Sequence, residues 1–215
     1  MAQPAPSARP EPRTDRSDAR RGRPRIGVLA VQGAVREHLE AIREIGAEPV
    51  TVRLPRDFEG LDALILPGGE STTMRRFIDR YGLREPILAM AGRGAPMLGT
   101  CAGMILLARR LSDGEEPVLG LLDVAVERNA YGRQLDSYEA DVDLPAIGEE
   151  PLHGVFIRAP VVVETGPGVE VLARDAKGRI IAVRQGKVLA TAFHPELTGD
   201  RRLHRFLLEL VDAAP

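Results

Sequence analysis

The chain has 215 residues, 44% hydrophobic, 28% charged and 4% aromatic, with one cysteine and no tryptophan; this fits one globular domain with room for a tail. Lys plus Arg is 29 against 31 for Asp plus Glu, a formal charge of −2, which gives no basis for expecting a nucleic-acid partner. The apolar runs fall far short of a membrane span. A lone Cys101 cannot form an internal disulfide, so it reads as a buried small hydrophobe or as a reactive thiol in a reducing compartment, with the cytoplasm as the expected location.

Residues 1–25 hold seven arginines, three acids and five prolines, with only Met1 and four alanines as apolar content. Such a segment has nothing to bury, and the expectation is a disordered extension. It has no apolar stretch of the secretory type, and its acids argue against a mitochondrial presequence. Both a solvated tail and an anion-attracting arm fit it.

From Ile26 the pattern alternates strands and helices. Residues 26–31 form the short continuous apolar run of a strand buried on both faces. Val35, Leu39, Ile42 and Ile45 follow at helical spacing, and Gly46 stands where a left-handed residue would end that helix. Residues 49–54 and 63–66 read as the next strands, and the second runs directly into Pro67-Gly68-Gly69-Glu70-Ser71. A helix over 74–81, a strand over 95–99 and a helix over 104–111 complete an α/β first half. Beyond Pro117 the pattern is β-rich, with strands expected over 121–127, 138–143, 155–158, 169–174, 180–184 and 188–192 and a hairpin turn at 185–187. Leu203, Phe206, Leu207, Leu210 and Val211 mark a last amphipathic helix. No internal repeat or flexible linker divides residues 26–213, which read as one α/β domain with a partly antiparallel second half.

Three segments carry chemistry. Gly99-Thr100-Cys101-Ala102-Gly103 is the cysteine form of a nucleophile elbow, where a sharp strand-to-helix turn needs small flanking residues. The first amides of the following helix then favour a thiolate and offer a donor to an oxyanion. Alone, the pattern also fits a packed cysteine. Phe193-His194-Pro195-Glu196 lies at the end of the 188–192 strand, where catalytic groups gather in open α/β sheets. His194 could serve as base and Glu196 could orient it, the two side chains sharing a strand face at i and i+2. Their bland alternatives are a histidine held by a backbone carbonyl and a surface acid, and His38, His153 and His204 show no such companion. The paired glycines at 68–69 would let a backbone amide face a substrate, although an ordinary loop with Ser71 or Thr72 as helix N-cap fits the same residues. No Gly-Lys-Ser/Thr follows, so nucleotide binding is unsupported.

With these segments in place the sequence resembles the triad-type class I glutamine amidotransferases. Within them it is similar to the family of glutaminase subunits of pyridoxal 5′-phosphate synthase, over essentially all of 26–213. The segments that single out this branch are Gln32-Gly-Ala-Val-Arg-Glu-His38, the Glu127-Arg128-Asn129 region and Phe156-Ile157-Arg158-Ala159-Pro160. The resemblance implies a three-layer, flavodoxin-like fold with a mixed sheet and helices on both faces, and no cofactor or metal. It implies hydrolysis of L-glutamine to L-glutamate and ammonia by Cys101, His194 and Glu196, with the oxyanion held by the N–H groups of Gly69 and Ala102. It also implies glutamine binding by Gly69, Glu70, Ser71, Arg128, Ile157 and Arg158. Ammonia would pass to a (β/α)₈-barrel synthase subunit that builds pyridoxal 5′-phosphate, and Gln32 would lie at the interface with that partner. Two alternatives stand beside this reading: a triad glutaminase serving another synthase, and a non-catalytic amidotransferase-like module that regulates a partner.

Overall fold

The computed structural model describes residues 22–128, 130 and 137–213. Most of the 1–25 extension, Asn129 of the Glu127-Arg128-Asn129 region and residues 131–136 lie outside these residues. The strands are β1 (Arg25–Leu29), β2 (Glu48–Val52), β3 (Ala63–Leu66), β4 (Met97–Thr100), β5 (Ala108–Leu111), β6 (Leu122–Glu127), β7 (Ser137–Val142), β8 (Leu152–Ile157), β9 (Val161–Thr165), β10 (Glu170–Arg174), β11 (Ile180–Gln185) and β12 (Val188–Thr191). The helices are α1 (Val35–Glu44), α2 (Ser71–Arg80), α3 (Arg84–Gly92), α4 (Ala102–Leu107) and α5 (Arg202–Asp212).

One 10-stranded sheet runs β2-β1-β3-β4-β12-β11-β9-β6-β5, with β10 paired to β11, and β7 and β8 form a separate antiparallel pair. From β2 to β12 all neighbours are parallel. The pairs β12–β11, β11–β9, β9–β6 and β11–β10 are antiparallel. This is the mixed α/β sheet the sequence leads one to expect. β3 and β4 are buried at every residue, because helices cover both faces of the parallel half. Pro49 is tolerated in β2 because that strand is the sheet edge. The step from β1 to β2 runs one way along the sheet and that from β3 to β4 runs the other, so right-handed crossovers put α1 on one face and α2 and α3 on the other. Between β1 and β3 the chain therefore leaves a crevice at the strands' carboxyl ends, where open α/β sheets bind ligands.

Several boundaries differ from the sequence reading. β1 begins at Arg25, and the carbonyl of Pro24 already accepts from Glu48 N at 2.8 Å. The helix expected over 104–111 stops at Leu107, where Ala108 turns extended (ψ 144°) and the chain enters β5. Apolar residues at 104, 107, 108 and 111 fit a helix stripe, but Ala108 and Leu111 are buried and Arg109 and Arg110 exposed because the segment pairs with β6 instead. α3 and β9 are additional elements. α3 buries only Ile87 and Met90, too short a stripe to read as a helix by periodicity.

Candidate active site

Four loops meet at the carboxyl ends of β1, β3, β4 and β12, around a cleft of about 800 Å³ lined by Gln32, Gly69, Glu70, Ser71, Cys101, Arg128, Ile157, Arg158 and His194. These are the expected site residues apart from Ala102 and Glu196, which are buried beside Cys101 and His194.

Cys101 sits between β4 and α4 with φ 48° and ψ −104°, a left-handed backbone that costs a non-glycine residue about 1–3 kcal/mol. The turn is held open by Cys101 N donating to Thr191 O at 2.8 Å. A Cβ on Gly99 would lie 2.6 Å from the Gly103 carbonyl, and one on Gly103 would lie 2.1 Å from the carbonyl oxygen of Leu66. Both flanking glycines are therefore required by backbone approach. Gly103→Ala must push α4 away from β3, and it is expected to lower stability by about 3 kcal/mol. An unchanged urea midpoint for that variant would contradict this packing.

His194 follows β12. It lines the same cleft as Cys101, and its Nδ1 lies 2.7 Å from Glu196 Oε1. Burial alone would push the imidazole down, but the neighbouring Cys101 sulfur and the Glu196 carboxylate outweigh it and raise the histidine to about 10. Glu196 is buried, which favours its protonated form, yet His38 and His194 hold it below the ordinary carboxylate range. It is thus an ionised acceptor, and His194 Nδ1 donates to it. The two side chains meet through a 3-10 turn over Pro195–Leu197, not through the strand face expected from their i, i+2 spacing, because Pro195 opens the turn straight after the strand.

The glycine loop after β3 packs on this pair. A Cβ on Gly68 would strike the His194 ring at 2.1 Å, and one on Gly69 would strike Gln32 Oε1 at 2.2 Å. Ala34 N donates to Gly68 O at 3.1 Å, and Glu70 N donates to Gln32 Oε1 at 2.7 Å. Gln32 is therefore tied into the glycine loop within the chain itself. The N-cap of α2 is Glu70, not Ser71 or Thr72: its carboxylate accepts from Thr72 N at 3.0 Å and Thr73 N at 2.7 Å. Bonds from Thr73 and Thr72, the side-chain bond of Thr73 foremost, pull this carboxyl down to about 2 despite partial burial.

The hairpin of β7 and β8 closes the other side. His194 N donates to Val155 O at 2.8 Å, the Phe156 ring lies 5.6 Å from that of Phe193, and Cys101 Sγ is 3.7 Å from Ile157 O. Arg158, at the end of β8, has φ 44°, a second strained residue facing the cleft. Arg128 bonds through Nε to Asp113 Oδ2 at 2.6 Å and through Nη2 to Glu115 Oε1 at 2.9 Å.

Sequence reasoning missed two features. Asp113 lines the cleft and grips Arg128. His38 and His204, read above as lacking companions, are fully buried, and His38 Nε2 lies 3.4 Å from Glu196 Oε2. Their positions carried a signal: His38 falls between Val35 and Ile42 on the apolar stripe of α1, and His204 beside Leu203 and Leu207 on that of α5. Among the described residues there is no cluster of three or more metal-ligating side chains, and no helix is long and apolar enough to cross a membrane.

Comparison with known proteins adds to this geometry. The model of the SNO glutamine amidotransferase family matches residues 28–213. The pyridoxal 5′-phosphate synthase subunit PdxT of Geobacillus kaustophilus is 57% identical over 190 residues, covering 88% of this chain and 96% of its own. That of Pelotomaculum thermopropionicum is 55% identical over 185 residues, covering 86% and 94%. A crystal structure of a glutamine amidotransferase, 50% identical, superimposes with a TM-score of 0.82 over 87% of this chain and 99% of that one. The PurLQS structure from Thermotoga maritima, at 21% identity and TM-score 0.69, shares the fold.

Proposed function

From the premise that the chain belongs to the SNO glutamine amidotransferase family, we propose that it is the glutaminase subunit of a pyridoxal 5′-phosphate synthase, hydrolysing L-glutamine to L-glutamate and ammonia. The observation that carries the reading is that Cys101, His194 and Glu196 are buried together at the carboxyl ends of β4 and β12, with Cys101 and His194 on one cleft and His194 bonded to Glu196. His194, raised to about 10, holds the proton at neutral pH as Cys101 Sγ attacks the side-chain carboxamide carbon. Collapse of the tetrahedral adduct passes that proton to the leaving ammonia and forms a thioester. Water, deprotonated by His194, then attacks the thioester, releasing glutamate and returning the Cys101–His194 pair to its starting state. Ionised Glu196 holds His194 with Nε2 toward the thiol throughout.

The N–H groups of Gly69 and Ala102 are the donors for the oxyanion; losing one such donor costs about 10²–10³ in rate. Glu70 and Ser71 belong to the substrate cleft, with Ile157 and Arg158 on its far wall. Arg128 suits the α-carboxylate of glutamine, and its present partners Asp113 and Glu115 mean that substrate must exchange for one of them. The partner subunit that receives ammonia is a (β/α)₈ barrel docking over the cleft mouth, near Gln32. The cytoplasm suits this chemistry, since a free thiol must stay reduced. The glutaminase domain, read from the sequence as 26–213, starts in the fold with Arg25 at the head of β1.

The test is glutamate release from L-glutamine by the purified chain as the synthase subunit is titrated in. A rate that rises saturably from near background supports both chemistry and partner. A flat rate sinks the partner assignment or shows a dead site, and separate thiol alkylation of Cys101 tells the two apart.

A further inference from the structure

The second oxygen of Glu196 points to a set of buried polar groups that the chemistry above leaves unused. Glu196 Oε1 is taken by His194, whereas Oε2 makes no hydrogen bond among the described residues. The polar atom facing it is His38 Nε2 at 3.4 Å, with both side chains fully buried. The same nitrogen is 3.2 Å from Thr100 Oγ1, and His38 Nδ1 is 3.0 Å from His204 Nε2. Helix α1, strand β4 and helix α5 thus each contribute one side chain to a row that ends on the carboxylate.

The proton positions in this row follow from charge and satisfaction. Burial favours the neutral form of both rings, lowering His38 and taking His204 down to about 3. Each ring then carries one N–H, and one ring must donate to the other. If His38 Nδ1 were the donor, its Nε2 lone pair would face the carboxylate of Glu196, and His204 would bury an N–H at Nδ1 with no acceptor among the described residues. If His204 Nε2 donates to His38 Nδ1, the N–H at His38 Nε2 faces Glu196 and Thr100. The atom left over is then a bare lone pair on His204, the less costly group to leave unpaired. The second arrangement is therefore favoured on both counts. At 3.4 Å the contact with Glu196 is a charge–dipole attraction, strengthened by a buried setting of low effective dielectric.

We propose that His38, fixed in one tautomer by His204 and Thr100, is a positioning residue that presents its Nε2–H to Glu196 Oε2 and so locks the carboxylate against His194. The charged and titratable groups facing His38 are Glu37 on its own helix, Glu196 and His194 from the segment after β12, and His204 and Arg201 from α5 and its start; Asp200 faces His204. Glu196 and Glu37 favour a proton on His38, and His194 and Arg201 oppose it. The neutral donor survives because burial outweighs them.

This rests on Cys101, His194 and Glu196 being the reacting groups, so Cys101→Ala is measured alongside. Full-length chain assembled with the synthase subunit is assayed for glutamate release up to about pH 10, the region where His194 loses its proton. His38→Leu removes the N–H at similar volume, and His38→Gln returns an amide N–H near the place of Nε2. His38→Leu is expected to lower kcat about tenfold with KM within about twofold. It should also move the alkaline limb of kcat/KM, set by His194 in the free enzyme, down by about one pH unit. His38→Gln should recover most of both. If His38→Leu melts earlier but keeps the wild-type kcat and alkaline limb, or if His38→Gln is as impaired as His38→Leu, the proposal is overturned. If His38→Leu does not fold, His204→Leu removes the donor that sets the tautomer and is read in the same two ways; an unchanged kcat and limb overturns it equally. A Cys101→Ala chain with the wild-type rate overturns the assignment of the reacting groups and the role of His38 with it.

Discussion

Cys101→Ala is expected to lower kcat for glutamine hydrolysis by at least about 10⁴-fold in the assembled complex. The substitution removes only Sγ. The elbow backbone stays, because its shape is set by the close approach of Gly99 to Gly103, of Gly103 to Leu66, and by the bond from Cys101 N to Thr191 O. Glutamine affinity should therefore change by less than about threefold, since the cleft walls at Glu70, Arg128 and Arg158 are untouched. The chain has a single cysteine, so no second thiol can supply residual thioester chemistry, and a hydrolysis rate near that of wild type would sink the nucleophile assignment outright. Equilibrium binding of glutamine to the inactive variant measures the second half of the expectation.

Much of this site was legible because its parts are local. The elbow glycines, the 68–69 pair and the His-Pro-Glu run are each contiguous, and the backbone forces that require them act within a turn. The β1, β3 and β4 strands were likewise readable as continuous apolar runs. What the sequence hid depends on tertiary closure. The end of α4 at Leu107 is decided by pairing of β5 with β6, a partner more than ten residues away. Glu70 takes the N-cap of α2 because Gln32, far off in sequence, holds the Glu70 N–H and sets the loop. Arg128 finds Asp113 and Glu115 only once β6 lies beside the loop after β5. His38 and His204 are separated by 166 positions; each stood on an apolar stripe, but only the folded sheet brings both to Glu196. The resemblance over 26–213 to a family supplied the expected roles of Arg128 and Arg158, which their local sequence could not.

The same buried row makes the native state sensitive to acid, and the direction follows from linkage. His38 and His204 are lowered from their ordinary value of 6.5, His204 to about 3, chiefly by burial. In the unfolded chain both protonate near 6.5, so folding must shed those protons. Their contribution to stability is complete above pH 6.5 and is lost as pH falls below it, for His204 down to about pH 3. For His204 the loss is about 1.4 kcal/mol per pH unit between 6.5 and its folded value. Glu196, held below 4.5 by His38 and His194 against its own burial, adds loss of the same sign at the acid end. His194 acts oppositely: raised to about 10, it stabilises the fold fully below 6.5 and ceases to do so as pH climbs to 10. Stability should therefore peak near neutrality and fall by several kcal/mol between about pH 6 and pH 4, read as a drop in the urea midpoint. His204→Gln, which cannot take up a proton, should flatten the acid side by the share of the slope that His204 contributes. An acid limb unchanged by that substitution would mean that other groups, not the buried pair behind Glu196, set the acid limit of the fold.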